Sequence, residues 1–318
     1  MTLDARVKKF LNRLNAGPKL PIAEMTVAAR RNALAELLVM GATPADHLAS
    51  WDDVIPSESG SLAVRIYSSN DAISENEPTI LYVHGGGLVA GDLDTHGGIA
   101  KALAMNTGYP VVSLSYRLAP EHPFPAALQD VSSAVQYLAR RSGQSAASQR
   151  TIVVVGDSAG ATLVAATSHM LRNEGPHPVA LQVLLCPILD YTSSTGSRQE
   201  LERGYFLEKE TLDHDLKYYL TSEIDRADPR VSPGLESSLC GVPATIIHTA
   251  EYDPLRDEGY HYYTRLKAAE VEVTYRCHPG MIHLFYALGG FIPYASDAIA
   301  MLSSDIVNAV MAKNAAQQ

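Results

Sequence analysis

The sequence predicts an α/β fold with a mostly parallel, eight-stranded sheet and helices on both faces. Three observations predict it. Short apolar runs rich in Val and Ile alternate with helical stretches of about 10–15 residues, the pattern of parallel strands joined by crossover helices. One run, Thr151 to Val155, passes through Gly156-Asp157-Ser158-Ala159-Gly160 into a helix-like stretch, Ala161 to Arg172. Another, Thr79 to Val83, runs into His84-Gly85-Gly86-Gly87.

The elements follow in order. Leu3, Val7, Phe10, Leu11 and Leu14 recur at helical spacing, with basic residues on the other face. A second helical run extends from Ile22 to Met40, separated from the first by Pro18 and Pro21. Residues 1–50 precede the first strand and are expected to form part of a cap. Trp51 to Pro56 and Leu62 to Tyr67, joined by Ser57-Glu58-Ser59-Gly60, read as an antiparallel hairpin. Residues 69–78 are a polar loop. Strands at Thr79 to Val83 and Pro110 to Tyr116 alternate with helices at 95–107 and Pro123 to Arg141. After the strand and helix around Ser158, Ala180 to Cys186 is the next strand.

Between Leu189 and Pro243 the alternation breaks. Residues 191–200 are rich in Ser, Thr and Gly, and Glu208 to Leu220 is helical with Leu212, Leu216, Tyr219 and Leu220 on one side. Residues 191–225 therefore read as an insertion that completes the cap. The core, 51–190 and 226–318, resumes with strands Ala244 to Ala250 and Val271 to Cys277 around the helix Asp257 to Ala269. A helix from Tyr294 to Met311 closes the chain.

Composition narrows the function. The 318 residues are 46% hydrophobic and 19% charged, ordinary for a globular protein. A net charge of −10 argues against nucleic acid and against stable association with an anionic membrane. Cys186, Cys240 and Cys277 lack metal-like spacing, and an odd count fits a reducing, cytoplasmic setting, with each expected as a small buried hydrophobe. The first 15 residues contain no uninterrupted apolar signal core. No stretch approaches the ~18 apolar residues of a membrane span. Oligomeric state, a homodimer included, is left open.

The chemistry is concentrated at strand ends. G-x-S-x-G between a strand and a helix is a nucleophile elbow, which holds the serine in a strained turn with its hydroxyl exposed. Strand and helix backbones pass closely there, so small residues flank Ser158. Three glycines after His84 are costly to order, and they suit a backbone that approaches a ligand and offers N–H groups. Both motifs fall at the C-terminal edge of the sheet, where open α/β folds bind ligands.

A base and an orienting acid must follow. Gly280-Met281-Ile282-His283 is expected as a loop after the last strand, which places His283 beside the elbow; His278 is nearly still in the strand. Asp253, in Glu251-Tyr252-Asp253-Pro254, follows the preceding strand and is the expected acid. Asp257 and Glu258 are read as charges that complement a helix N-terminus.

Four stretches together resemble the hormone-sensitive-lipase family of α/β-hydrolases: His84-Gly85-Gly86-Gly87, Tyr116 to Ala127 (YRLAPEHPFPAA), Gly156 to Gly160, and Asp253 to Gly259 (DPLRDEG). The resemblance spans about residue 50 to the end and points to the bacterial esterase branch with a Gly-Asp-Ser-Ala-Gly elbow. It implies a Ser158–His283–Asp253 triad, an oxyanion hole from the N–H groups of Gly85, Gly86 and Ala159, and a cap from N-terminal helices plus an insertion. A cap that closes off a pocket of limited depth leads us to expect a small-molecule ester of short to medium chain as substrate, and a triad that works through an acyl-enzyme and water needs no metal and no cofactor. Leu88 and Gly97 depart from the family pattern near the substrate loop. Leu88, Asp157, Tyr205, Phe206, Tyr219 and Ile282 are expected to line the pocket. Amide or lactone cleavage by the same triad, or a non-catalytic small-molecule receptor on this fold, are the competing readings.

Overall fold

Strands without polar interruption take the centre of the sheet. β3 (Thr79–Val83), β4 (Val111–Leu114), β5 (Ile152–Asp157) and β6 (Leu181–Leu185) are buried at every position. β1 (Ser50–Ser57) and β2 (Gly60–Tyr67) form the expected hairpin, and β1, at the edge, is largely exposed. β7 (Ala244–Tyr252) and β8 (Val273–Ile282) complete an eight-stranded sheet in the order β1-β2-β4-β3-β5-β6-β7-β8. β2 meets both β1 and β4 antiparallel; every pair from β4 to β8 is parallel. The computed structural model describes all residues except 1, 18–19, 43–47, 75–76, 141–150, 173–176, 222–223 and 317–318. Met1, Pro18 and Arg141, and parts of the expected cap segments and polar loop, thus lie outside the described residues.

Each sheet face carries its own apolar core. One packs β-strand side chains such as Val154 and Leu184 against α4 (Ala126–Arg140), α5 (Ala159–Leu171) and α8 (Arg256–Ala268). The other packs Val153, Val155 and Val183 against α1 (Ala5–Asn15), α2 (Val27–Gly41), α3 (Gly97–Thr107) and α9 (Tyr294–Ala316). Each fully buried Val, Leu or Ile contributes about 1.5–3 kcal/mol. No helix among the described residues is long and apolar enough to cross a membrane.

Four sequence expectations need correction. The run Ile22 to Met40 is not one helix: after a single turn at Ile22–Glu24 the chain extends at Met25. Thr26 then starts α2 by accepting from the Ala29 N–H at 3.2 Å, a hydroxyl cap that fixes the boundary. The last strand does not end near Cys277. β7 continues to Tyr252, and past an irregularity Tyr252 pairs with Ile282, so β8 runs on to Ile282 and His283 follows it directly. Of the cysteines, Cys186 is buried but Cys240 is exposed. Glu258 does more than complement a dipole: its buried carboxylate accepts from the Leu189 and Asp190 N–H groups at 3.0 Å and pairs with Arg198.

The N-terminal helices and the insertion, with α6 (Gly196–Glu200) and α7 (Lys209–Tyr219), meet one another. Arg30 of α2 pairs with Asp215 of α7 at 3.0 Å, and Phe10 of α1 packs on Phe206 with ring centroids 6.1 Å apart.

Candidate active site

β5 delivers Ser158 to a turn that no ordinary residue enters without strain. Ser158 has φ 52° and ψ −121°, and α5 begins at the next residue. Neighbouring backbone explains both glycines. A Cβ at Gly156 would stand 2.6 Å from the Gly160 carbonyl, and one at Gly160 would collide with the backbone of Val83 and His84. The turn is held by the Ser158 N–H, which donates to the Leu185 carbonyl at 2.8 Å.

β7 and β8 bring two further side chains to this point. His283 Nε2 lies 2.9 Å from Ser158 Oγ, and His283 Nδ1 lies 2.8 Å from Asp253 Oδ2. Asp253 is fully buried, and its other oxygen accepts from the Leu255 N–H at 2.9 Å. A buried carboxylate at Nδ1 calls for the proton there, which leaves Nε2 to accept from the serine hydroxyl. His278 sits elsewhere, within 2.9–3.1 Å of the Tyr286 hydroxyl, the Tyr294 hydroxyl and His248 Nδ1. Burial, with His248 beside it, lowers its pKa to about 3.

The glycine loop after β3 is braced from below. Asp157 was expected to line the pocket; its carboxylate instead lies under this loop, where Oδ1 accepts from the Tyr82 hydroxyl at 2.6 Å and from the Gly85 N–H at 2.9 Å. Burial raises the Asp157 pKa against the opposing pull of the Tyr82 hydroxyl. The buried rings of His84 and His96 stand near the same carboxylate, and burial lowers each to about 4. The Gly85 N–H, expected to face an oxyanion, is instead spent on the Asp157 contact. The N–H groups of Gly86, Gly87 and Ala159 have no acceptor among the described residues. Gly86 and Gly87 both have positive φ, and a Cβ at Gly87 would strike the Asp215 carboxylate. A run of three glycines does not say which N–H is consumed internally, so the sequence did not single out the open N–H of Gly87.

The remaining expected pocket residues fall into two groups. Leu88, with φ 66°, and Tyr219 are buried in the core of the α4–α5 side, where Tyr219 meets Phe124 edge-on. Ile282, Tyr205 and Phe206 belong to the other core, and Tyr205 stacks on Tyr252 at 5.6 Å.

Arg31 of α2 was not anticipated. It donates to the carbonyls of Val89 at 2.8 Å and Ala119 at 3.1 Å, and it pairs with Glu121. Leu88 O in turn accepts from the Ala119 N–H at 2.9 Å. Much of the Tyr116 to Ala127 motif thus buttresses the glycine loop: the Tyr116 hydroxyl donates to the His84 carbonyl at 2.8 Å, and Arg117 pairs with the buried Asp130.

A serine at a strand–helix elbow, facing a histidine and a buried carboxylate on a mostly parallel sheet, defines the α/β-hydrolase class. A family model described as alpha/beta hydrolase fold matches residues 80–287. The chain is 36% identical over 250 residues to Esterase LipI of Mycobacterium tuberculosis, covering 78% of each protein. It is 33% identical over 293 residues to an ethyl acetate hydrolase of Pseudomonas putida, covering 91% of this chain and 92% of that one. Among solved structures, the ester-hydrolase EH1AB1 from the metagenome of Lake Arreo superposes with a TM-score of 0.90 at 31% identity, covering 96% of this chain and 99% of that one. The chain belongs to the hormone-sensitive-lipase-like family of α/β-hydrolases.

Proposed function

We propose that the protein is a serine carboxylesterase acting on esters of short to medium acyl chain, about C2 to C8. The observation that carries this is the hydrogen-bonded chain from Asp253 through His283 to Ser158, at 2.8 and 2.9 Å, which ends on the elbow serine. In this reading His283 takes the hydroxyl proton as Ser158 Oγ attacks the ester carbonyl. Asp253 holds the imidazole in the tautomer that can accept and stabilises the imidazolium that forms. The oxyanion receives the free N–H groups of Gly86, Gly87 and Ala159, each contributing about 2.7–4 kcal/mol to lowering the barrier. The imidazolium then protonates the departing alcohol. Water, activated by the same histidine, releases the acid and restores the serine.

Residues 1–50 and 191–225 act as the cap over 51–190 and 226–318. Support comes from their mutual contacts and from Asp215, whose carboxylate lies against Gly87. An enclosed site favours short chains, since each added methylene gains ~0.8 kcal/mol only while there is room to bury it. Three free thiols, one of them exposed, support a cytoplasmic setting. A panel of p-nitrophenyl esters from acetate to palmitate tests the proposal. Faster hydrolysis of the C16 ester than of the C4 ester, or activation at an emulsion surface, contradicts it.

A further inference from the structure

We propose that Cys186, Asp253 and His283 form an inhibitory site for a thiophilic divalent cation, with Zn2+ as the type, and that its occupation switches the hydrolase off. The inference rests on the proposed role of His283 as base. One ligand atom from each of the three residues lies within 4.8 Å of the other two, and all three residues are buried. Cys186 stands at the end of β6 with φ 44°, and its N–H is fixed to the His248 carbonyl at 2.7 Å, so the side chain belongs to a defined turn rather than a loose loop.

The donor set suits the cation. A thiolate at about 2.3 Å, an imidazole nitrogen at about 2.0 Å and a carboxylate oxygen at about 2.0–2.2 Å are the distances zinc takes, with the fourth position left to water or product carboxylate. Tetrahedral angles then separate ligand atoms by about 3.3–3.6 Å. His283 Nδ1 and Asp253 Oδ2, now 2.8 Å apart, must open by roughly half an ångström, and the thiol, already within 4.8 Å of both, must settle at about 3.6 Å from each. Charge also balances. The carboxylate and one thiolate neutralise the cation in a buried site, and the thiol proton leaves to solvent. Of the three ligands, Cys186 and His283 keep 3% and 4% of their surface exposed, and Asp253 none.

Inhibition follows from the tautomer. A metal on Nδ1 takes the place of the proton that Asp253 now accepts, and that proton moves to Nε2. Nε2 then donates and cannot take the proton of Ser158. The site silences the base without touching the nucleophile.

The test uses the full-length protein with Zn2+ in a metal buffer, and with Co2+ as a spectroscopic probe. The wild type should lose activity at one Zn2+ per chain and recover it with chelator. Co2+ should give the near-ultraviolet absorption of a cobalt–thiolate bond. In Cys186→Ala, the Zn2+ concentration for half inhibition, read against that variant's own uninhibited rate, should rise by about 30-fold or more, and the cobalt–thiolate band should vanish. Cys186→Ser, closer in size, should weaken both effects and guards against a folding defect in the alanine variant. Cys240→Ser, which changes the exposed thiol, should leave both as in the wild type. Equal inhibition of the wild type and Cys186→Ala, or a wild type without the thiolate band, overturns the site. A full cobalt–thiolate band that depends on Cys186, with hydrolysis undiminished, supports the metal site and overturns His283 as the base.

Discussion

The floor around Ser158 and the roof proposed for residues 1–50 and 191–225 are tied together in different ways. The floor is wired by short hydrogen bonds between buried groups on strand ends: Asp253 to His283, His283 to Ser158, and Asp157 to both Tyr82 and Gly85. The roof is joined by an ion pair between its two segments and by a tilted aromatic contact, and it clasps the floor through Arg31 and Asp215. Groups aimed from strand ends along one edge of a sheet are held in close register, as proton transfer needs. Ion pairs between separate helices tolerate movement, as substrate entry needs. The contrast separates residues that should set turnover from residues that should set access.

The sharpest break would come from the triad. Ser158→Ala and His283→Ala should each lower kcat by about 10^6-fold, and Asp253→Asn by about 10^4-fold, while the proteins remain folded. His278→Ala, which removes a ring bonded to Tyr286, Tyr294 and His248, should leave kcat within about tenfold at neutral pH. Steady-state kinetics on a short-chain ester decides this. A His278 variant as damaged as His283→Ala places the base on the wrong strand position.

Removing a roof tie should act on stability and KM before kcat. Arg30→Ala leaves the buried Asp215 carboxylate with only the His214 ring, 3.0 Å from its other oxygen, a loss of about 2–4 kcal/mol in denaturant unfolding. Arg203→Ala, from the exposed pair with Glu210, should cost less than about 1 kcal/mol. Equal costs for the two would mean that the Arg30 pair is not a tie.

Acid should loosen the floor. His84 and His96 have pKa values lowered to about 4 from an ordinary 6.5, so the unfolded chain binds their protons first as pH falls. Stability from keeping them neutral is complete above pH 6.5 and drains away between 6.5 and about 4, by a few kcal/mol in all. Urea midpoints at pH 7 and pH 4.5 measure it, and an unchanged midpoint contradicts it. The smallest effect is expected at Phe206 and Tyr205. Their alanine variants should shift acyl preference by about tenfold or less within C2 to C8, read from relative kcat/KM.

Legibility in the sequence tracked how local each signal is. The elbow, the hairpin and the alternation of strands and helices rest on neighbouring residues, and they appear where the pattern placed them. His283 and Asp253 lie beside Ser158, as the sequence led one to expect, because topology puts residues that follow parallel strands on one edge. The internal use of the Gly85 N–H was not legible, because the partner that consumes it, Asp157, is 72 positions away. The extension of β8 was hidden by Pro279 and Gly280, which read as a strand end; pairing of Ile282 with Tyr252 overrides them. Arg30, Arg31 and Asp215 carried no motif at all, since ion pairs across the fold leave no periodicity.

The central claim is that Ser158 is the residue that takes the acyl group. Intact-protein mass spectrometry after treatment with a fluorophosphonate tests it most directly. The account predicts one adduct per chain on Ser158, parallel loss of activity, no adduct in Ser158→Ala, and slow labelling in His283→Ala. Stoichiometric labelling of the folded Ser158→Ala variant, or hydrolysis that survives complete modification of Ser158, would contradict it.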